Sequence, residues 1–81
     1  MRQEDLIEVL RQRPFHPFRI HLSDGIIYEV RHPELVLVGR STAVVFFPDP
    51  RKPPPAFERY DTIALLHITR LEPLETLAPS N

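Results

Sequence analysis

The chain is 81 residues long, 42% hydrophobic and 26% charged, with a formal net charge of −1 and no cysteine. That length predicts one domain with a thin core, folded without disulfides or a cysteine-based metal centre. A near-neutral charge argues against a general nucleic-acid binder, and no apolar run approaches the roughly 20 residues of a membrane-spanning helix.

Residues 2–12, RQEDLIEVLRQ, predict a helix. Leu6, Ile7 and Leu10 form one apolar stripe bordered by Val9. Glu4 and Asp5 in the first turn, and Arg11 and Arg13 at the end, suit the helix dipole. Pro14 stops the helix, because proline lacks the N–H and pushes its predecessor out of helical geometry. Pro14 and Pro17 hold the connection extended, and Phe15 and Phe18 are expected to clamp the helix onto the next element of the chain. The competing reading of these rings is an exposed aromatic platform.

Phe18, Ile20 and Leu22 alternate with Arg19 and His21 as in a half-buried strand. Asp24-Gly25 predicts a hairpin turn, with Ile26, Tyr28 and Val30 alternating on the return strand. His32-Pro33-Glu34 breaks the run, LVLV (35–38) predicts a short strand, and TAVVFF (42–47) runs back after Gly39-Arg40-Ser41. Residues 48–56, PDPRKPPPA, hold five prolines and predict a stiff, polyproline-like loop. FERYD (57–61) reads as a strand. TIALL (62–66) reads as a 3-10 turn or a continued strand, and HITRLEP (67–73) as the last strand. The expected organisation is a single helix-plus-β domain over 1–73 and a frayed tail over 74–81.

This order of one helix and then antiparallel strands resembles Sm-like proteins, the Hfq group among them. PFRIHLSDGIIYEV is similar to their first hairpin, ELVLV lies where their third strand runs, and YDTIALLHITRLEP is similar to their second motif. The chain also resembles small uncharacterised bacterial proteins with an RPFxPFRIxLxDG…HPE signature. The Sm resemblance implies a small bent antiparallel sheet or barrel, a ring of copies and an RNA site. The residues depart from the family at that site. Tyr60 is followed by Asp61 and Thr62 where the Hfq group has a Tyr-Lys-His run. IALLHI replaces the Arg-Gly turn of other Sm sites. No glycine falls near Tyr28 to Arg31, where the second Sm strand bends.

Several residues are candidates for binding. Arg11, Arg13 and Arg19, with Arg31, offer a basic rim for RNA phosphates or a partner, and Tyr60 is a ring to stack on. The plainer reading pairs these arginines with Glu8, Glu29 or Glu34 on a solvated surface. Pro50-Arg51-Lys52-Pro53 is a short P-x-x-P docking pattern, or simply a rigid spacer. His16, His21, His32 and His67 match no zinc spacing, no hydroxyl residue has an evident base, and the two glycines make no phosphate loop. No enzyme activity and no cofactor are expected. A cytoplasmic interaction or assembly module is expected, with a homo-oligomer or a protein partner and with RNA as the alternative. LVLV and TAVVFF are apolar on both faces, more than one helix can cover. Strand pairing between the region 42–60 of one copy and 67–72 of a neighbour is the expected contact.

Overall fold

A computed structural model of the chain describes residues 1–74, so all but the first residue of the expected tail lies outside the described residues. The protein is mainly β with one N-terminal helix. Helix α1 spans Gln3–Arg11 and buries Leu6 and Leu10, the i, i+4 pair of the predicted stripe. Asp5 Oδ2 accepts the Arg2 N–H (3.4 Å) at the helix start. Arg13 folds back at the other end, donating from Nη1 to the carbonyls of Leu10 (3.1 Å) and Gln12 (2.8 Å). These are carbonyls that a helix end leaves without partners. Phe15 and Phe18 then meet edge to face, 6.1 Å between centroids. Phe18 is buried and Phe15 packs against the core, so the rings clamp the helix and make no exposed platform.

The strands form two three-stranded antiparallel sheets. The first joins β1 (Phe18–Leu22), β2 (Ile27–Val30) and β6 (Ile68–Pro73) in the order β2-β1-β6. Its hairpin is closed by Gly25 N–H to Leu22 O (3.0 Å) and Leu22 N–H to Ile26 O (2.9 Å). Gly25 has φ +92°, and Asp24 Oδ1 accepts the Ile26 N–H at 3.0 Å. A turn followed by a left-handed residue needs glycine there, which is why Asp-Gly marks the site. The second sheet joins β3 (Val36–Val38), β4 (Thr42–Pro48) and β5 (Phe57–Ala64) in the order β3-β4-β5.

Two 3-10 turns carry the chain between the sheets, Pro33–Leu35 and Leu65–His67. Proline at position 33 cannot donate to a ladder, so β2 and β3 are separate strands where an Sm-type strand would bend through a small residue. Residues 62–66 do both things the sequence allows: β5 runs on to Ala64 and the 3-10 turn begins at Leu65. Among the described residues the sheets do not close into a barrel, so of the two expected forms the bent, open arrangement is the one adopted. The core lies between the sheets, with Ile20, Val30, Val36, Val45, Ile63 and Ile68 inside and Leu6 and Leu10 laid across them. Each such side chain contributes roughly 1.5–3 kcal/mol by leaving water.

The proline segment corrects the polyproline expectation. Lys52 N–H donates to Asp49 O (3.2 Å) and Ala56 N–H to Pro53 O (3.3 Å), so the chain folds into two successive turns. Asp49 organises them. Its side chain is buried, and Oδ1 accepts the Arg51 N–H at 2.9 Å. An Asx turn of this kind competes with extension wherever Asp precedes a proline-rich stretch. The extended helix that a polyproline-reading groove requires is therefore absent from Pro50 to Pro53.

Candidate interaction face

The outward faces of the two sheets differ in chemistry. On the first, β1 presents Arg19 and His21, β2 presents Glu29 and the half-exposed Ile27, and β6 presents Arg70 and Glu72. The register sets Arg19 opposite both Glu29 and Glu72, and His21 opposite Arg70. Arg19 Nη2 lies 3.5 Å from Glu29 and its Nη1 3.7 Å from Glu72. Arg31 reaches Glu29 at 3.3 Å, and His21 Nε2 lies 2.8 Å from Glu72 Oε1. The His21 hydrogen bond, aided by Arg70 and Arg19, holds the Glu72 carboxyl below its ordinary range. This is a solvated face whose charges are already matched.

On the second sheet, strand alternation sends Val36, Ala43, Val45 and Ile63 inward. The same alternation puts Leu37, Val44, Phe46, Tyr60 and Thr62 outward. Leu37 pairs with Val44, Val44 with Thr62, and Phe46 with Tyr60, so these side chains form one continuous patch. The Phe46 ring lies 4.6 Å from Phe57 and 5.9 Å from Tyr60. Leu37 is 60% exposed, Tyr60 58% and Phe57 48%. No charged side chain interrupts the patch between β3 and the middle of β5. At the end where β4 leaves the sheet, the turn before β3 and the proline turns rise on either side. They leave a groove of about 330 Å³, floored by Leu37, Phe46 and Phe57 and walled by Pro48, Pro54 and Pro55. Glu34 stands on the β3 side of this groove and Lys52 on the proline side.

One polar bridge spans the sheets. Tyr28 Oη donates to Asp61 Oδ2 at 2.7 Å, and Arg59 Nη1 reaches Asp61 Oδ1 at 3.4 Å. The Arg59 guanidinium also lies 3.8 Å from the centroid of the Phe47 ring. Burial, and then the hydrogen bond and charge of Asp61, push the Tyr28 hydroxyl up to about 12.

The residues singled out by sequence fall in separate settings. Arg11 is exposed at the end of α1, Arg13 caps that helix, Arg19 is held between two glutamates, and Tyr60 lies on the second sheet with Phe46. Arg51 projects from the proline turns beside Asp49, while Lys52 stands on the groove. Ser23 Oγ lies 3.4 Å from His67 Nδ1 on an exposed surface, a long contact. Asp24, the nearest acid in sequence, is occupied by its own turn. Among the described residues no group of three metal-ligating side chains comes together, and no helix is long and apolar enough to cross a membrane. Leu37, Phe46 and Phe57 are site residues that the sequence alone does not single out. The signal that could have found them is the unbroken apolar character of residues 35–38 and 43–47, where a one-sided sheet would alternate.

Compared with family models, curated proteins and solved structures, the chain matches none of them.

Proposed function

We propose that this protein is a non-enzymatic assembly module that works by associating with further copies of itself. The observation that carries this reading is the contrast between the faces. One sheet meets solvent mostly with paired ions, Ile27 aside, and the other meets it with Leu37, Val44, Phe46, Phe57 and Tyr60. The largest apolar patch on a typical monomer is itself roughly 300–600 Å² and is often a contact site, and this face is a patch of that order. A core of this size, with no disulfide, also gains from a partner that removes more apolar surface from water.

RNA binding of the Sm type is the alternative that the same experiment separates. It would need a basic track, and Arg13 and Arg19 are engaged with carbonyls and carboxylates of their own chain. Sedimentation equilibrium on the pure chain tests the proposal, alongside fluorescence anisotropy with single-stranded RNA at low and high salt. Reversible self-association without salt-dependent RNA binding supports it. A chain that stays monomeric and binds RNA with a steep salt dependence overturns it.

A further inference from the structure

We propose that the second copy docks face to face, forming a twofold dimer in which the outward apolar faces of the two β3-β4-β5 sheets cover each other. In this dimer Lys52 of each copy faces Glu34 of the other. The inference rests on the assembly reading above and names its partner and geometry.

Three observations lead to a second copy as the occupant. The patch is uncharged, so its complement must be uncharged too, and the same patch on another copy meets that requirement. The groove at its end is lined by Glu34 on one side and Lys52 on the other, and by Asp49, which is buried and already paired with Arg51. Neither Glu34 nor Lys52 has an ion-pair partner among the described residues, as is also true of Glu8, Arg11, Arg40 and Glu58, but of these only Glu34 and Lys52 line the groove. A twofold axis lying in the plane of the contact and running between them sets each lysine against the partner's glutamate. An isologous contact matches such a pair twice with a single patch. The free edges of β5 and β6 are a poorer choice for the contact. β5 carries Glu58, Arg59 and Asp61 along its free edge, and β6 carries Arg70, Glu72 and Pro73. Charged side chains and proline are how proteins keep edges from pairing.

The size of the patch sets the strength. Large aromatic side chains bury roughly 150–250 Å² each when wholly covered. Rings about half exposed leave on the order of 100 Å² apiece for a partner. With Leu37 and the margins of Val44 and Phe46 the apolar centre reaches roughly 400 Å² per copy, about 800 Å² in all, which is below the roughly 1,200 Å² of a standard specific interface and in the range of weak, transient contacts. The contact is then a weak, reversible dimer.

The test is sedimentation equilibrium on the full chain and four variants: Leu37→Glu, Lys52→Glu, Glu34→Lys, and the double variant carrying both charge reversals. All three positions are solvent-facing, and circular dichroism checks that each variant keeps its fold. The proposal expects a monomer–dimer equilibrium for the native chain and loss of the dimer in Leu37→Glu. Each single charge reversal should weaken the dimer about tenfold, and the double variant should return to near the native constant. A ring-sized mass that Leu37→Glu leaves intact overturns the face-to-face dimer and leaves self-association standing, with edge pairing as its means. A dimer whose single reversals have no effect, or whose double variant is not restored, overturns the twofold crossing of Lys52 and Glu34. A strictly monomeric native chain at high micromolar concentration overturns both this inference and the assembly reading.

Discussion

Replacing Tyr28 with phenylalanine removes one atom and with it the side-chain hydrogen bond that ties the first sheet to the second. The ring stays, so its packing against Phe47 at 5.9 Å is kept. A hydrogen bond to a charged partner is worth about 1.5–3 kcal/mol. Asp61 is left with Arg59 and with some access to water, since its side chain is 39% exposed. The cost should therefore fall at the lower end, about 1–2 kcal/mol, which in a domain of this size lowers Tm by roughly 5–15 °C. The pH dependence is the sharper readout. The Tyr28 hydroxyl has its folded-state pKa raised from 10.0 to about 12. A raised acid pKa means that the folded state keeps the proton better than the unfolded chain does. The contribution is complete below pH 10 and is lost as pH climbs through 12, and its ceiling is roughly 2–3 kcal/mol. Phenylalanine has no such proton. Urea unfolding followed by circular dichroism from neutral pH to about 12 should show the native chain losing stability more steeply than Tyr28→Phe above pH 10. Equal stabilities at pH 7 and parallel pH profiles would refute the bridge.

Gly25→Val should cost about 1–2 kcal/mol in urea unfolding through backbone strain alone, because φ is +92° and no atom lies within 4 Å of the added Cβ. Gly25→Asn should cost clearly less, since asparagine tolerates that conformation, and equal losses would point to a side-chain clash instead. Phe18→Ala should cost about 3–5 kcal/mol, enough to remove most of the fold, and the half-buried Phe15→Ala about half as much. A thermal melt in which Phe15→Ala is the more damaging change would reverse the roles assigned to the two rings.

The legible part of the sequence is local. Asp24-Gly25 announces a left-handed turn because few other residue pairs accept it, and Pro14 announces the end of a helix for reasons confined to its own ring. Phe18 and Ile20 are placed inward by simple alternation with Arg19 and His21. The proline stretch misleads because counting prolines gives stiffness and no direction. Asp49, a single side chain at the mouth of the segment, turns it back. The candidate face is only half visible in the sequence. A run such as 43–47 says that both faces are apolar without saying which of them the core takes. Leu37, Phe46 and Phe57 become one surface only once β3, β4 and β5 are paired. Tyr28 and Asp61 lie 33 residues apart, and no spacing rule links them. Tyr60 stands out in the sequence for its resemblance to an RNA-stacking ring, and in the structure its ring lies beside Phe46.

The most direct test of the account is a dilution series of amide nuclear magnetic resonance spectra, taken from millimolar to low micromolar protein. The account predicts that shifts move with concentration in a contiguous set, residues 34–37, 44–46, 52 and 57–62, while the ion-laced face at Arg19, Glu29 and Glu72 stays fixed. Spectra that do not change with dilution, or changes confined to the β5 and β6 edges, would contradict it.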